Sequence, residues 1–302
     1  MKNVKKERTL GIIGYGFLGE AFEYVFAPKC HIMINDIAKE PDQKKFFTKR
    51  DLVCHADLIM VGVPTPYSLS EGYVPDIINE VMMDLDNLAF SLNKKPVVLI
   101  KSAILPSHVK ILKNVCVNLD IAISPEYLSA KNTIGDQLYS NIWIIGGSQD
   151  AFNTVKEMVM DHSILNSTWS TPKLSHVSAV DAALIKYMEN CFLAMKCTFM
   201  SEFYELHEEV KEEDSVPFND IIKAWQLDPR MGEYPYSIPY QGELGRCSHC
   251  ICKDTKAIMD EFNNHNVDCS LLKAEEKKSD MLRSNLDDPH YRCRNTHGGV
   301  VE

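Results

Sequence analysis

The sequence predicts an α/β protein: a doubly wound parallel sheet followed by an all-helical domain built around one long helix. Three observations predict it. Short, nearly all-apolar runs alternate with helically spaced stretches through the first half of the chain, the pattern of parallel strands covered on both faces by crossover helices. The first run ends in the glycine-rich turn Gly14 to Gly19. Beyond about Ser175, Val177 to Glu212 carries apolar residues at helical intervals without a Gly or Pro, so one helix is expected across it.

Strands are expected at Thr9 to Gly14, His31 to Asp36, Asp57 to Val63, Val97 to Ser102, Ile121 to Ser124 and Ile142 to Gly146, each short, apolar and rich in Ile, Val or Leu. Helices are expected between them at Phe17 to Phe26, Ile77 to Leu92, Ser107 to Val115 and Ala151 to Asp161. After the long helix, the acidic break Glu208 to Asp214 leads through Val216-Pro217 into a short helix. A loop with Pro, Tyr and Gly then spans Asp228 to Gly245, and a helical end runs from Asp254 to about Leu286. At 302 residues the chain is long enough for two domains. We place the sheet domain at 1–174, the helical domain at 175–286, and a polar stretch containing Gly298-Gly299, read as a loose tail, at 287–302.

With 42 acidic and 32 basic side chains the formal charge is −10. Phosphate contacts need clustered Lys and Arg, so a general nucleic-acid binder is not expected. No apolar run approaches the ~20 residues that cross a bilayer, so no membrane association is expected. Lys2, Lys5, Lys6 and Arg8 ahead of Leu10 to Leu18 imitate a secretory signal, but three glycines interrupt the apolar stretch and Glu20 ends it without a small-residue cleavage site. Ten cysteines scattered over this length do not form a secreted disulfide framework, which points to a reducing cytoplasm.

The first chemical signal is Gly14-Tyr15-Gly16-Phe17-Leu18-Gly19 between a strand and a helix, with Asp36 closing the next strand 22 residues after Gly14. This is the dinucleotide fingerprint in its expected context, and it makes the sheet Rossmann-like. Gly14 permits the tight turn, Gly16 admits the pyrophosphate to the backbone, and Gly19 lets helix and strand pack closely. Asp36 suits the ribose hydroxyls of NAD and would repel the 2′-phosphate of NADP. A chance glycine pattern in a loop is the bland alternative.

The second is Cys247-Ser-His249-Cys250-Ile-Cys252-Lys253-Asp254, which sets a nucleophile, a cation and a carboxylate within five residues. A thiolate is a good covalent catalyst where nearby positive charge lowers its pKa, and Lys253 at a helix start would supply that charge. A buried structural cysteine is the bland reading. A zinc site is a third, with Cys247 and Cys250 joined by His290 and Cys293. Against zinc stands the placement of the second pair in the terminal stretch, and no metal is expected. The third signal is Lys186 and Asn190, four apart on one face of the long helix. The residues alone favour a snorkelling lysine and a surface amide.

Together these stretches resemble the nucleotide-sugar dehydrogenases typified by UDP-glucose 6-dehydrogenase, from the glycine loop to about Leu286. The matching stretches are Gly14 to Gly19, Val63-Pro64-Thr65-Pro66, Ile100-Lys-Ser102, Ser124-Pro-Glu126-Tyr127-Leu128, Lys186 to Glu202, Leu227-Asp-Pro-Arg230-Met-Gly232, and Cys250 to Asp254. The resemblance implies oxidation of a sugar C6 alcohol to a carboxylate with NAD as cofactor, through a thiohemiacetal and a thioester on Cys250. It implies that Lys186 and Asn190 stabilise the developing oxyanion and position a water. Asp254 would act in proton transfer with an ordered water, and Glu126 would assist near the hydrolytic water. It assigns cofactor contacts to Gly14 through Gly19, Asp36, Val63, Pro64, Thr65 and Ser102. Substrate contacts fall to Glu126, Tyr127, Leu128, Lys186, Asn190 and Cys250, with UDP-glucose as the expected substrate. It also implies a homodimer through the long helix, in which Arg230 reaches the substrate of the neighbouring subunit.

The chain departs from the family pattern at several places. Ala103 stands where the family usually has Thr, and Ala130 where it has a second carboxylate. Cys247-Ser248 replaces Gly-Gly before the nucleophile, and Cys252 replaces the following proline. Only 48 residues follow Asp254, too few for a ~100-residue domain, so the third domain that grips the nucleotide is expected to be absent. The alternatives are an NAD-dependent dehydrogenase of a smaller sugar or hydroxy acid, and a non-catalytic NAD-binding protein.

Overall fold

The structure is a computed structural model and describes residues 8–42, 44–127, 134–135, 142–165, 171–232, 237–239, 244–246, 249–283 and 300–301. Its strands are β1 (Arg8–Ile13), β2 (Cys30–Asn35), β3 (Leu58–Val61), β4 (Tyr67–Ser68), β5 (Gly72–Tyr73), β6 (Val97–Ile100), β7 (Asp120–Ile123), β8 (Ile142–Gly146), β9 (Lys173–Val177) and β10 (Val300–Val301). Its helices are α1 (Phe17–Phe26), α2 (Lys49–His55), α3 (Asp76–Ser91), α4 (Pro106–Val115), α5 (Gln149–Asp161), α6 (Ala179–Val210), α7 (Phe218–Trp225), α8 (His249–Asn264) and α9 (Ser270–Arg283). The chain divides into two compact units, Met1–Thr65 with Pro75–Lys186, and Pro66–Val74 with Tyr187–Glu302.

The first unit is a seven-stranded sheet of order β2-β1-β3-β6-β7-β8-β9. β3 is buried along its whole length, as a strand covered on both faces must be. Under the sheet, Phe22 and Phe26 of α1 meet Trp143 of β8, each ring centroid 6.5 Å from the indole. From β1 the chain passes to β2 on one side and then to β3 on the other. That reversal opens a crevice at the carboxyl ends of β1 and β3, the place where doubly wound sheets bind ligands.

Three features differ from the expected elements. β8 lies antiparallel to β7, while α5 supplies the crossover that keeps β8 and β9 parallel. β9 itself was not expected: it is a mostly exposed edge strand in which three of five residues, Lys173, Ser175 and His176, are polar, so it lacks an apolar run, and it carries the sheet past residue 174. α2 is only seven residues long, too short to show a period, and it is started by a capping box in which Thr48 and Asp51 exchange side-chain and backbone hydrogen bonds.

The second unit gathers α7, α8 and α9 with the part of α6 beyond Lys186. Ser178 starts α6 by accepting from Asp181 N at 3.1 Å. Residues 66–74, which precede α3 in sequence, belong to this unit: β4 and β5 form an antiparallel hairpin, and the Tyr67 hydroxyl donates to Asp260 Oδ2 of α8 at 2.8 Å. The expected single helical end is two helices. Asn266 takes a left-handed φ of 55° between α8 and α9, a conformation Asn tolerates better than most residues. The expected tail at 287–302 lies outside the described residues except for β10, which pairs parallel with β4.

Candidate active site

Backbone geometry explains each glycine of the first loop differently. Gly14 has φ 90°, and a Cβ there would lie 2.5 Å from the carbonyl oxygen of Gly62. A Cβ on Gly19 would lie 2.4 Å from the carbonyl oxygen of Gly14. These two are small so that the loop can close on itself. A Cβ on Gly16 would meet nothing within 4 Å: the space over Gly16, at the amino end of α1, is open on the side where a pyrophosphate would approach. Gly16 caps α1 without a side-chain hydrogen bond, which leaves first-turn amides to an anion.

Asp36 is fixed beside this loop. Tyr15 N donates to its Oδ2 at 2.7 Å and Ala38 N to its Oδ1 at 2.8 Å. Phe17 is exposed and Leu18 packs against the core of the sheet. Ser102 bridges two strand ends, accepting from Val63 N at 3.0 Å and donating to Val63 O at 2.7 Å. The buried Thr65 hydroxyl donates to Ala103 O at 2.8 Å, and Pro64 between them is exposed. Ser102 and Thr65 therefore shape the loops after β3 and β6 through the backbone. The residues present fit a dinucleotide: an open Gly16, a carboxylate for a ribose, and two loops held at the crevice.

A second cluster in the same unit surrounds Glu126. Lys101 Nζ lies 3.0 Å from Glu126 Oε2, Tyr127 N donates to Oε1 at 2.8 Å, and Lys186 Nζ donates to the backbone carbonyl of Glu126. The Lys186 ammonium also stands over the Tyr127 ring, 5.6 Å from its centroid. Lys101 was not singled out from the sequence. Its signal was a lysine at the end of an otherwise apolar strand. Leu128 and Ala130 lie outside the described residues.

In the second unit, Asn190 Nδ2 donates to Asp254 Oδ2 at 2.6 Å, and Lys253 Nζ lies 2.6 Å from Asp254 Oδ1. Asp254 is 1% and Asn190 4% exposed, so Asn190 is no surface amide. Cys250 stands in the first turn of α8, one turn before Asp254, and is exposed, which sets aside the buried structural reading. Cys252 is buried. Cys247, His290 and Cys293 lie outside the described residues. The loop before α8 is anchored at Gly245, whose N donates to Ser201 Oγ at 2.8 Å, and at Arg246, whose N donates to Ser279 Oγ at 3.0 Å. Arg230 is exposed and forks onto Asp228, with Nε 3.0 Å from both carboxylate oxygens.

Both clusters lie in stretches that match one family. Residues 35–163 match the NAD binding domain of the UDP-glucose/GDP-mannose dehydrogenase family, and residues 180–280 match its central domain. The chain belongs to this family. A UDP-glucose 6-dehydrogenase of Rickettsia conorii is 28% identical over 83% of the chain and 55% of its own length. One of Campylobacter jejuni is 25% identical over 87% of the chain and 70% of its own length. Several curated relatives are thus about twice as long as the part that the chain covers. A solved UDP-glucose dehydrogenase of Pyrobaculum islandicum shares the fold at TM-score 0.74 and 19% identity, over 93% of this chain and 70% of its own. So does a 3-hydroxyisobutyrate dehydrogenase of Mycobacterium tuberculosis, at TM-score 0.67 and 14% identity over 92% and 94%. In this UDP-glucose/GDP-mannose dehydrogenase family member, no described helix is long and apolar enough to cross a membrane.

Proposed function

We propose that the protein oxidises the C6 alcohol of a nucleotide sugar, UDP-glucose first among candidates, to the carboxylate. The observation that carries this reading is the buried Asn190–Asp254–Lys253 array one helical turn from an exposed Cys250. Gly14 through Gly19 and Asp36 would hold NAD, with Val63, Pro64, Thr65 and Ser102 shaping its site. Bound NAD supplies the hydride acceptor.

An aldehyde cannot surrender hydride until a nucleophile adds to its carbonyl carbon. The Cys250 thiolate forms that C–S bond, and the carbonyl oxygen becomes an oxyanion. Lys186 and Asn190 stabilise that charge with N–H donors. After the second oxidation the carbon is a thioester. Water adds to it, the C–S bond breaks, and the acid leaves with Cys250 restored. Asp254 moves the protons, and Glu126 acts beside the hydrolytic water. Tyr127 and Leu128 contact the sugar.

The protein would act as a homodimer in the cytoplasm. Met188, Phe192, Phe199, Phe203, Leu206 and Val210 stripe α6 at helical spacing and are each exposed by at least 46%, and burying such a stripe would favour pairing with a second copy. In that assembly Arg230 would leave Asp228 for the partner's substrate, a small cost because exposed ion pairs contribute little.

Turnover quenched in acid and read by intact-protein mass spectrometry tests the chemistry. A sugar-nucleotide adduct on the wild-type chain that is absent from Cys250→Ser is expected. Turnover by Cys250→Ser at the wild-type rate would overturn the thioester route.

A further inference from the structure

Lys101 is buried at 6% exposure, directly after β6. Its Nζ has three oxygen neighbours: Glu126 Oε2 at 3.0 Å, Pro125 O at 3.0 Å and Ser124 Oγ at 3.3 Å. Ser124 Oγ and Pro125 O accept hydrogen bonds from it, and Glu126 is its ion-pair partner. Its remaining surroundings are aromatic, with the Trp143 ring centroid 4.7 Å away and that of Phe22 at 5.6 Å. Burial pushes Lys101 below the ordinary lysine range, the Glu126 carboxylate opposes that fall, and Lys186 adds to it. Glu126 supplies the countercharge of this buried lysine, and removing one partner of a buried ion pair is costly.

Glu126 is held at both ends. Tyr127 N donates to Oε1, Lys186 donates to the carbonyl of the same residue, and Lys101 is the ion-pair partner of Oε2. We propose that Lys101 is a positioning residue that keeps the Glu126 carboxylate ionised and aimed, and so fixes it as a proton acceptor rather than a donor. The inference rests on the reading of Glu126 as part of the catalytic machinery, but the ion pair itself can be tested without turnover. The charged and titratable groups facing Glu126 among the described residues are Lys101 after β6, Lys186 of α6 and the Tyr127 phenol beside it. Trp143 of β8 and Phe22 of α1 bring no charge.

The test is carbon-13 NMR of the glutamate carboxyls across pH, with Glu126→Gln to assign the signal, in the wild type, Lys101→Met and Lys101→Arg. Loss of the neighbouring cation raises a carboxylate's midpoint by about 1–3 pH units. We expect that rise in Lys101→Met and recovery in Lys101→Arg. The acidic limb of the kcat/KM profile for the nucleotide sugar should move up by the same amount in Lys101→Met, a change that a merely structural lysine would not produce. An unmoved Glu126 midpoint overturns the proposal. If Lys101→Met does not fold, Lys101→Met/Glu126→Gln should fold, because it removes both charges together; equal failure of the two variants also overturns it. A moved midpoint in a protein that turns over no nucleotide sugar sustains the ion pair and removes the proposed function instead.

Discussion

Asn190 and Asp254, 64 residues apart in sequence, meet through a 2.6 Å hydrogen bond from Nδ2 to Oδ2, both side chains being buried. With Lys253 on the other oxygen, Asp254 has a donor on each side. Asp254→Asn turns one acceptor into a donor facing a donor, and leaves Lys253 without its countercharge. We expect a fall in kcat of about 10²–10⁴ if Asp254 moves protons, and a loss of roughly 3 kcal/mol of stability. Asn190→Asp/Asp254→Asn should recover part of the stability and none of the rate. Steady-state kinetics and thermal melts check both.

Gly14 and Gly16 should respond differently to alanine. Gly14→Ala drives a Cβ to 2.5 Å from a backbone oxygen at a positive φ, so its Tm should drop, by the equivalent of about 1–3 kcal/mol. Gly16→Ala meets nothing in the protein, so its Tm should match the wild type while NAD affinity falls at least ~10-fold. Calorimetry on both variants decides; full NAD affinity in Gly16→Ala would remove the cofactor from that loop.

Asp36→Ser should weaken NAD and relax the rejection of NADP. Hydrogen bonds to a charged group are worth about 1.5–3 kcal/mol, so NAD affinity should fall by about 10- to 100-fold. An unchanged preference between the two cofactors would dismiss Asp36 as the ribose contact.

How much of this was legible in the sequence depends on how local each demand is. Gly14, Gly16, Gly19 and Asp36 could be read because a tight turn, an open approach and a strand end each impose a residue type at a fixed spacing. The length of α6 could be read because nothing in Val177 to Glu212 breaks a helix. Lys101 could not, because its meaning lies in Glu126, 25 residues away on another strand end. Asn190 read as a surface amide for the same reason: only the packing of α6 against α8 supplies Asp254. The 66–74 hairpin gave no signal that it joins the helical unit, since its two strands are two residues each. The break at Asn266 needed only one left-handed residue, which helical periodicity does not register.

The exposed stripe on α6 predicts its own disruption. Phe199 and Phe203 have ring centroids 4.7 Å apart and are both half-exposed. Phe199→Glu/Phe203→Glu should convert a dimer to a monomer in light scattering with little loss of Tm, because neither ring is in the core of the unit. A wild-type monomer would contradict the assembly, and with it the role given to Arg230.

The oxidation itself is measured as NADH formed against acid formed, with purified protein, NAD and a panel of nucleotide sugars led by UDP-glucose. Two NADH are expected for each acid from one substrate, and no acid from Cys250→Ser. NAD binding by calorimetry with no turnover across the panel would contradict the oxidation.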